Sequence, residues 1–345
     1  MSDNELARFV AALPKAELHL HLVGSASPDT VLALARRHPD GGVPTEANAL
    51  AEFYRFTDFA HFLQIYSRVN LLVRTGADVV TLLDGTAREL AANRVRWAEV
   101  QVTAVRNRMA GISYEDLAQA LTDGRALAAE RYGLGLGWIF DADCGLGPDG
   151  AAETLDFAVR YRPPGTVGLG LAGPEDVVRH SDYAPFFRAA REAGLHSVPH
   201  AGETVGPSAV WAAVNELGAE RIGHGIGAAS DPALLAVLAS RRVALDVCLV
   251  SNLRTGAVPS LASHPLPVLL AAGVPVTLST DDPGMFDTDL NGEYLAAHEQ
   301  FGLGRDELAG LARASAQAAF CPEDIRAEML AGIDDALAAG AGAAD

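Results

Sequence analysis

Lysine is nearly absent from this chain. Lys15 is the only one, and every other cation is an arginine. No later position can therefore supply a lysine to bridge two metal ions. Cysteine is scarce as well: Cys144, Cys248 and Cys321 are odd in number, scattered, and never in a C-x-x-C pair. That argues against a disulfide framework and against a cysteine-bound zinc, and it fits reduced thiols in the cytoplasm. There is no run of about eighteen apolar residues and no charged-then-apolar leader, so neither a membrane span nor a signal peptide is expected. Positive charge is short overall, with 44 Asp and Glu against 26 Lys and Arg, a net charge of −18. Nucleic acid and anionic membranes want a basic face, so neither is an expected partner. No G-x-G-x-x-G follows a strand, which leaves a nucleotide-binding open sheet without support.

What the chain does have is length and apolar content. Its 345 residues, 49% hydrophobic, suffice for one large α/β domain with a sizeable core. Residues 1–13 read as a short helix before Pro14. A first strand follows at about 17–23, then several helical patterns over 28–93, opening at Ser27-Pro28-Asp29 with proline in the first turn. Within them Phe53, Phe56, Phe59 and Phe62 recur every three residues, which suggests a helix face in the core or a lid over a pocket. Short β-rich runs then alternate with helical segments: 95–103, 134–141, 167–172, 196–200, 221–224, 244–249 and 275–279. Eight strands in strand–helix alternation predict a parallel sheet closed as a single (β/α)8 TIM-type barrel over 1–335. The 28–93 segment is then a helical insertion or lid, and 336–345 a low-complexity tail expected to fray.

In such a barrel, reactive residues gather at the C-terminal ends of the strands. The first strand carries Glu17-Leu18-His19-Leu20-His21-Leu22, where alternation puts His19 and His21 on one face. Later strand ends read Gly173-Pro174-Glu175, His200-Ala201-Gly202-Glu203, Gly223-His224-Gly225, Ser251-Asn252 and Thr280-Asp281-Asp282-Pro283. His19, His21, His200 and Asp281 offer three nitrogens and one oxygen, a set that suits Zn²⁺ with a position left for water. Such a zinc lowers the pKa of its water from 15.7 to about 7. Glu203 is placed as a proton donor near the metal. His224 could be a further ligand but is better used as the base that orients and deprotonates the water. Asp282 beside Asp281 points away from it and is free for substrate.

Pro14-Lys15-Ala16-Glu17-Leu18-His19-Leu20-His21, His200-Ala201-Gly202-Glu203, Arg221-Ile222-Gly223-His224-Gly225 and Ser279-Thr280-Asp281-Asp282-Pro283 resemble, in order and over residues 14–284, the adenosine deaminase family of metal-dependent hydrolases. The resemblance implies one zinc per chain on His19, His21, His200 and Asp281, with Asp281 also counted among the catalytic residues. It implies Glu203 as the acid at purine N1, His224 as the base for the attacking water, Asp282 at N7 and the backbone of Gly173 at N3. The reaction it implies is hydrolytic deamination at C6 of a 6-aminopurine. The lysine-bridged two-metal relatives do not fit a chain whose one lysine precedes the first strand, and no P-C-x-x-C marks the cysteine-ligated deaminases.

The pattern breaks at one informative place. Nucleoside deaminases of the family read Leu-Asp-Gly after the second histidine, and that aspartate resembles the group that bonds the ribose 5′-hydroxyl. Here the sequence is Leu22-Val23-Gly24. A buried hydroxyl left unpaired costs about 1–3 kcal/mol, so Val23 predicts a substrate without a free 5′-hydroxyl. Two 6-aminopurine nucleosides fit: 6-amino-6-deoxyfutalosine of menaquinone biosynthesis, with a benzoate on its 5′ side, and 5′-methylthioadenosine. Adenosine of purine salvage and free adenine are the alternatives. A benzoate would want a cation, for which Arg106, Arg108 and Arg254 are candidates. Gln101 stands where the family often has arginine, with an expected effect on packing near strand two. The oligomeric state is not legible.

Overall fold

Each predicted β-rich run forms a strand, and its ends move by at most two residues. The computed structural model describes residues 3–341. The strands are β1 (Lys15–His21), β2 (Val95–Val102), β3 (Gly135–Asp143), β4 (Thr166–Ala172), β5 (His196–Ala201), β6 (Arg221–His224), β7 (Ala244–Val247) and β8 (Val276–Leu278). They pair in sequence order, all parallel. Parallel neighbours need a crossover, and helices supply it, so the sheet is buried between its own interior and a helical ring. Closure comes just past β8. The amide of His21 donates to Asp281 O and the amide of Asp281 to His19 O, both at 3.0 Å. The result is the (β/α)8 barrel the alternation predicts.

The barrel floor is polar but paired. Buried Arg221 donates from Nε to Asp246 Oδ2 at 2.7 Å and pairs through Nη2 with Glu99. Glu99 also accepts from Trp97 Nε1 and the Phe320 amide. Lys15 anchors the start of β1, donating to the carbonyls of Val10, Leu13 and Asn93 at 2.7, 2.8 and 3.1 Å. The sole lysine is thus a structural tie, consistent with its exclusion from the chemistry.

Between β1 and β2 lie helices Pro28–Arg37, Ala47–Phe53, Phe59–Asn70 and Gly76–Ala92. The three-residue aromatic repeat does not form one helix face. Phe53 ends one helix and Phe59 opens the next, because Asp58 caps it by accepting from His61 N at 2.8 Å. Phe56, in the link, packs on Phe62 and Phe286. The last helix, Glu323–Ala341, includes residues 336–341 that the sequence reads as frayed, while 342–345 lie outside the described residues. Among the described residues no helix is long and apolar enough to cross a membrane.

Candidate active site

The barrel's closure sets the site, because β1 and the end of β8 are held side by side. His21 Nε2 stands 3.2 Å from Asp281 Oδ1, and His19 Nε2 stands 3.5 Å from the same oxygen. His200, from β5, brings its Nε2 to 3.2 Å from His21 Nε2. His224, at the end of β6, has Nε2 3.6 Å from Glu203 Oε2 and 3.8 Å from Asp281 Oδ2. His224 and Asp281 both take left-handed backbone, at φ 60° and 66°. Non-glycine residues there cost about 1–3 kcal/mol each, and such strain clusters at functional sites.

A surrounding set of groups fixes these side chains. A carbonyl only accepts, so the 2.8 Å contact of His200 Nδ1 with Leu171 O puts the ring hydrogen on Nδ1 and leaves the Nε2 lone pair free. His21 Nδ1 lies 3.5 Å from buried Asp141. Ser251 donates to Asp281 Oδ2 at 2.7 Å. Thr255 donates to Glu203 Oε1 at 3.2 Å. Glu175 Oε2 accepts from the amides of Glu203 and Thr204, at 2.9 and 2.7 Å, and so pins the turn after β5.

A longer chain sets the tautomer of His224. The Leu266 amide donates to His264 Nδ1 at 3.1 Å, so the neutral His264 ring carries its hydrogen on Nε2 and donates it to Asn252 Oδ1. The Asn252 amide nitrogen then donates to His224 Nδ1 at 3.1 Å. Turning the Asn252 amide over would require His264 to accept at both nitrogens, which a neutral imidazole cannot do. The neutral His224 ring therefore presents an Nε2–H to the site.

Burial pushes the His19 and His224 imidazoles down and His200 well down, which keeps their rings neutral. Burial raises Glu203, and burial together with the Asp281 charge raises Asp282 far above the ordinary carboxylate range. Asp281 runs the opposite way: burial opposes ionisation, but the hydrogen bonds of His19 and His21 outweigh it. His21 is held up at about 10, because Asp282, Asp281 and Asp141 outweigh its burial.

This donor set fits a metal. One atom each from His19, His200, His224 and Asp281 lie within 4.8 Å of one another, as do atoms of His21, Asp281 and Asp282. Both ring nitrogens of His19 are buried without a hydrogen-bond partner. Neutral imidazoles around an anionic carboxylate are zinc-type donors, and the carboxylates that hold a proton on His21 call for positive charge there, which a divalent ion supplies.

The site opens into a cavity of about 510 Å³, within the usual range for small-molecule pockets. Its inner end is lined by His21, His200, Glu203, His224, Asp281, Asp282 and Gly173. The outer part is more apolar, with Val23, Phe59, Phe62, Leu63, Leu71 and Met109. Val23 is buried in this wall, and two of the repeating phenylalanines, Phe59 and Phe62, line it. Of the three arginines singled out in the sequence, Arg106 lines the cavity. Its Nε donates to Asp143 at 2.6 Å. Arg108 instead pairs with Glu153, and Arg254 stacks over Phe56. Sequence reasoning assigned no role to Asp141, Glu175, Ser251, Asn252 or His264. Glu175 and Ser251-Asn252 do sit at strand ends, the one signal that could have found them. It also gave Gln101 a packing role, whereas its side chain lines the cavity.

The model of the family described as adenosine deaminase matches residues 14–336. A relative from Streptomyces avermitilis named aminodeoxyfutalosine deaminase is 48% identical over 340 residues, covering 98% of this chain and 95% of its own. The crystal structure of an adenine deaminase from Arthrobacter aurescens superposes with a TM-score of 0.89 at 30% identity, over 94% of this chain and 98% of that one. An amidohydrolase from Burkholderia ambifaria with bound Zn also superposes with a TM-score of 0.89, at 26% identity, over 98% of this chain and 95% of that one. The match runs through every element that carries the site, and the chain belongs to the adenosine deaminase family, as a hydrolytic deaminase.

Proposed function

We propose that this chain removes the 6-amino group of 6-amino-6-deoxyfutalosine, an aminopurine nucleoside modified on its 5′ side, and releases ammonia. One Zn²⁺ would be held by His19, His21, His200 and Asp281. When bound, it lowers the pKa of a water to about 7, so that hydroxide is available at neutral pH. The remaining work belongs to the side chains. Glu203, raised by burial, keeps a proton to give to purine N1, which draws electrons from C6 as the oxygen adds there. His224 orients the attacking oxygen by donating from Nε2. With Nδ1 already accepting from Asn252, it fills the orienting half of the base's role expected from sequence. Purine N7 only accepts, so Asp282 meets it with its carboxyl hydrogen, and the Gly173 backbone meets N3. These groups are fixed before charge develops, which is the usual source of the largest rate term.

The observation that carries the 5′ reading is Val23, an apolar side chain buried in the cavity wall where an acid would be needed to hold a 5′-hydroxyl. The apolar outer part of the cavity suits an aryl group, and the terminal nitrogens of Arg106, which make no hydrogen bond among the described residues, suit its carboxylate. The S. avermitilis relative carries the name of this activity. The test is kcat/KM of the zinc-loaded enzyme on aminodeoxyfutalosine, 5′-methylthioadenosine, adenosine and adenine. A preference for aminodeoxyfutalosine over adenosine of about a hundredfold is expected. Adenosine or adenine as the best substrate overturns the reading.

A further inference from the structure

Gln101 stands on β2 in register with His21 of β1 and Ile139 of β3. It is 2% exposed and lines the cavity together with Val23. Both of its amide atoms, Oε1 and Nε2, are buried without a hydrogen-bond partner. Of the polar groups near it, His21 Nδ1 faces Asp141 and Arg106 Nε donates to Asp143, while both carboxyl oxygens of Asp141 are themselves without a hydrogen-bond partner. Its backbone carbonyl accepts from Leu22 N at 3.0 Å, so the residue lies against the Leu22–Val23 segment. A buried amide with neither end satisfied is rare in a folded protein and calls for a partner, and this residue is one of those that line the cavity.

We propose that Gln101 is the specificity-determining residue for the 5′ side of the substrate, hydrogen-bonding there in place of the carboxylate that Val23 removes. This rests on the reading of a 5′-modified nucleoside given above. The chemistry of the exchange is directional. A carboxylate only accepts, so it selects a hydroxyl. An amide donates through Nε2 as well as accepting through Oε1, so it can hold a 5′ group that has an acceptor and no hydrogen to give, such as a carbonyl, ether or thioether, which a carboxylate cannot.

The test uses the zinc-loaded enzyme, Gln101→Leu and Gln101→Glu, with kcat/KM on aminodeoxyfutalosine and adenosine and Tm for each. Gln101→Leu should lower kcat/KM on aminodeoxyfutalosine by about ten- to a hundredfold, with adenosine much less affected. Its Tm should hold or rise, because an unpaired buried amide is replaced by an apolar side chain of similar size. Gln101→Glu should lower aminodeoxyfutalosine again while sparing or improving adenosine, so that the substrate ratio moves toward the hydroxyl. An unchanged ratio in both variants overturns the proposal, and so does an equal loss on both substrates with a lowered Tm, which would mean a packing role. The wild-type ratio tests the 5′ reading by itself, and only the change in that ratio tests Gln101.

Discussion

Gly24→Ala is a one-methyl perturbation whose consequence can be worked from the structure. Gly24 follows β1 in the tight turn after His21, and its carbonyl accepts from Gly284 N at 2.9 Å. A Cβ added there would lie 1.5 Å from Asp282 Oδ1, 2.3 Å from its Cγ and 2.6 Å from its Cβ. Ordinary contacts between non-bonded heavy atoms are about 3.5 Å, so the carboxylate would have to retreat by about 2 Å. Asp282 is buried and lines the cavity, into which its carboxyl group can be displaced. Misplacing a positioning group by 1 Å can cost about a hundredfold in rate. Gly24→Ala should therefore lower kcat/KM by about a hundredfold or more, or at least ~2.7 kcal/mol of transition-state stabilisation. Overpacking should cost about 1–3 kcal/mol of stability besides. Since the three nearest atoms all belong to Asp282, a double-mutant cycle isolates the cause. On an Asp282→Gly background, Gly24→Ala should add almost nothing. A Gly24→Ala enzyme within threefold of wild type, or a loss that is fully additive in the double mutant, would refute the reasoning.

Other outcomes follow from the same geometry. Glu203→Gln keeps the shape and the bond from Thr255 but removes the transferable proton, so kcat should fall by about 10²–10⁴ with metal content unchanged; near-full activity would sink the acid role. Gly223→Ala places a Cβ 2.5 Å from His19 Cε1 and 2.9 Å from its Nδ1, so the purified variant should hold less metal by elemental analysis while its circular dichroism stays native. A chelator should lower Tm as well as abolish turnover, with both restored by Zn²⁺, because a ligand bound only by the folded state stabilises it; an unchanged Tm would argue against a metal on these residues. His264 has its pKa pushed down to about 4 by burial and then by His224, against 6.5 when unfolded. The unfolded chain thus binds a proton that the folded one refuses, and stability should drop as pH falls from about 6.5 toward 4, by about 2 kcal/mol between pH 7 and 5. Urea melts of His264→Gln should show that dependence flattened by this amount, and an unchanged slope would count against it.

The barrel and the inner site were legible in the sequence because both rest on local patterns. Eight β-rich runs each preceded a helix, and the period-two face of β1 put His19 and His21 together before any packing was known. The glycine-flanked strand ends supplied His200, Glu203, His224, Asp281 and Asp282, since barrel topology gathers strand ends wherever they fall in the chain. Less legible were features set by contacts between distant segments. The aromatic repeat looked like one helix face, but Asp58 starts a new helix and turns two of the rings toward the pocket. No periodicity ties Leu266 to His264, Asn252 and His224, yet that chain decides which nitrogen of His224 carries its hydrogen. Three arginines looked alike on paper, and only packing separates Arg106 in the cavity from Arg108 and Arg254 in pairs of their own. The sequence by itself determined the strands and which metal-type donors and carboxyl groups stand at their ends, because residue type and spacing are enough to place a side chain on a strand end. The tertiary structure alone decided which polar atoms are left without partners, as at Gln101, because a hydrogen bond is satisfied or orphaned only when the whole surrounding shell is in place.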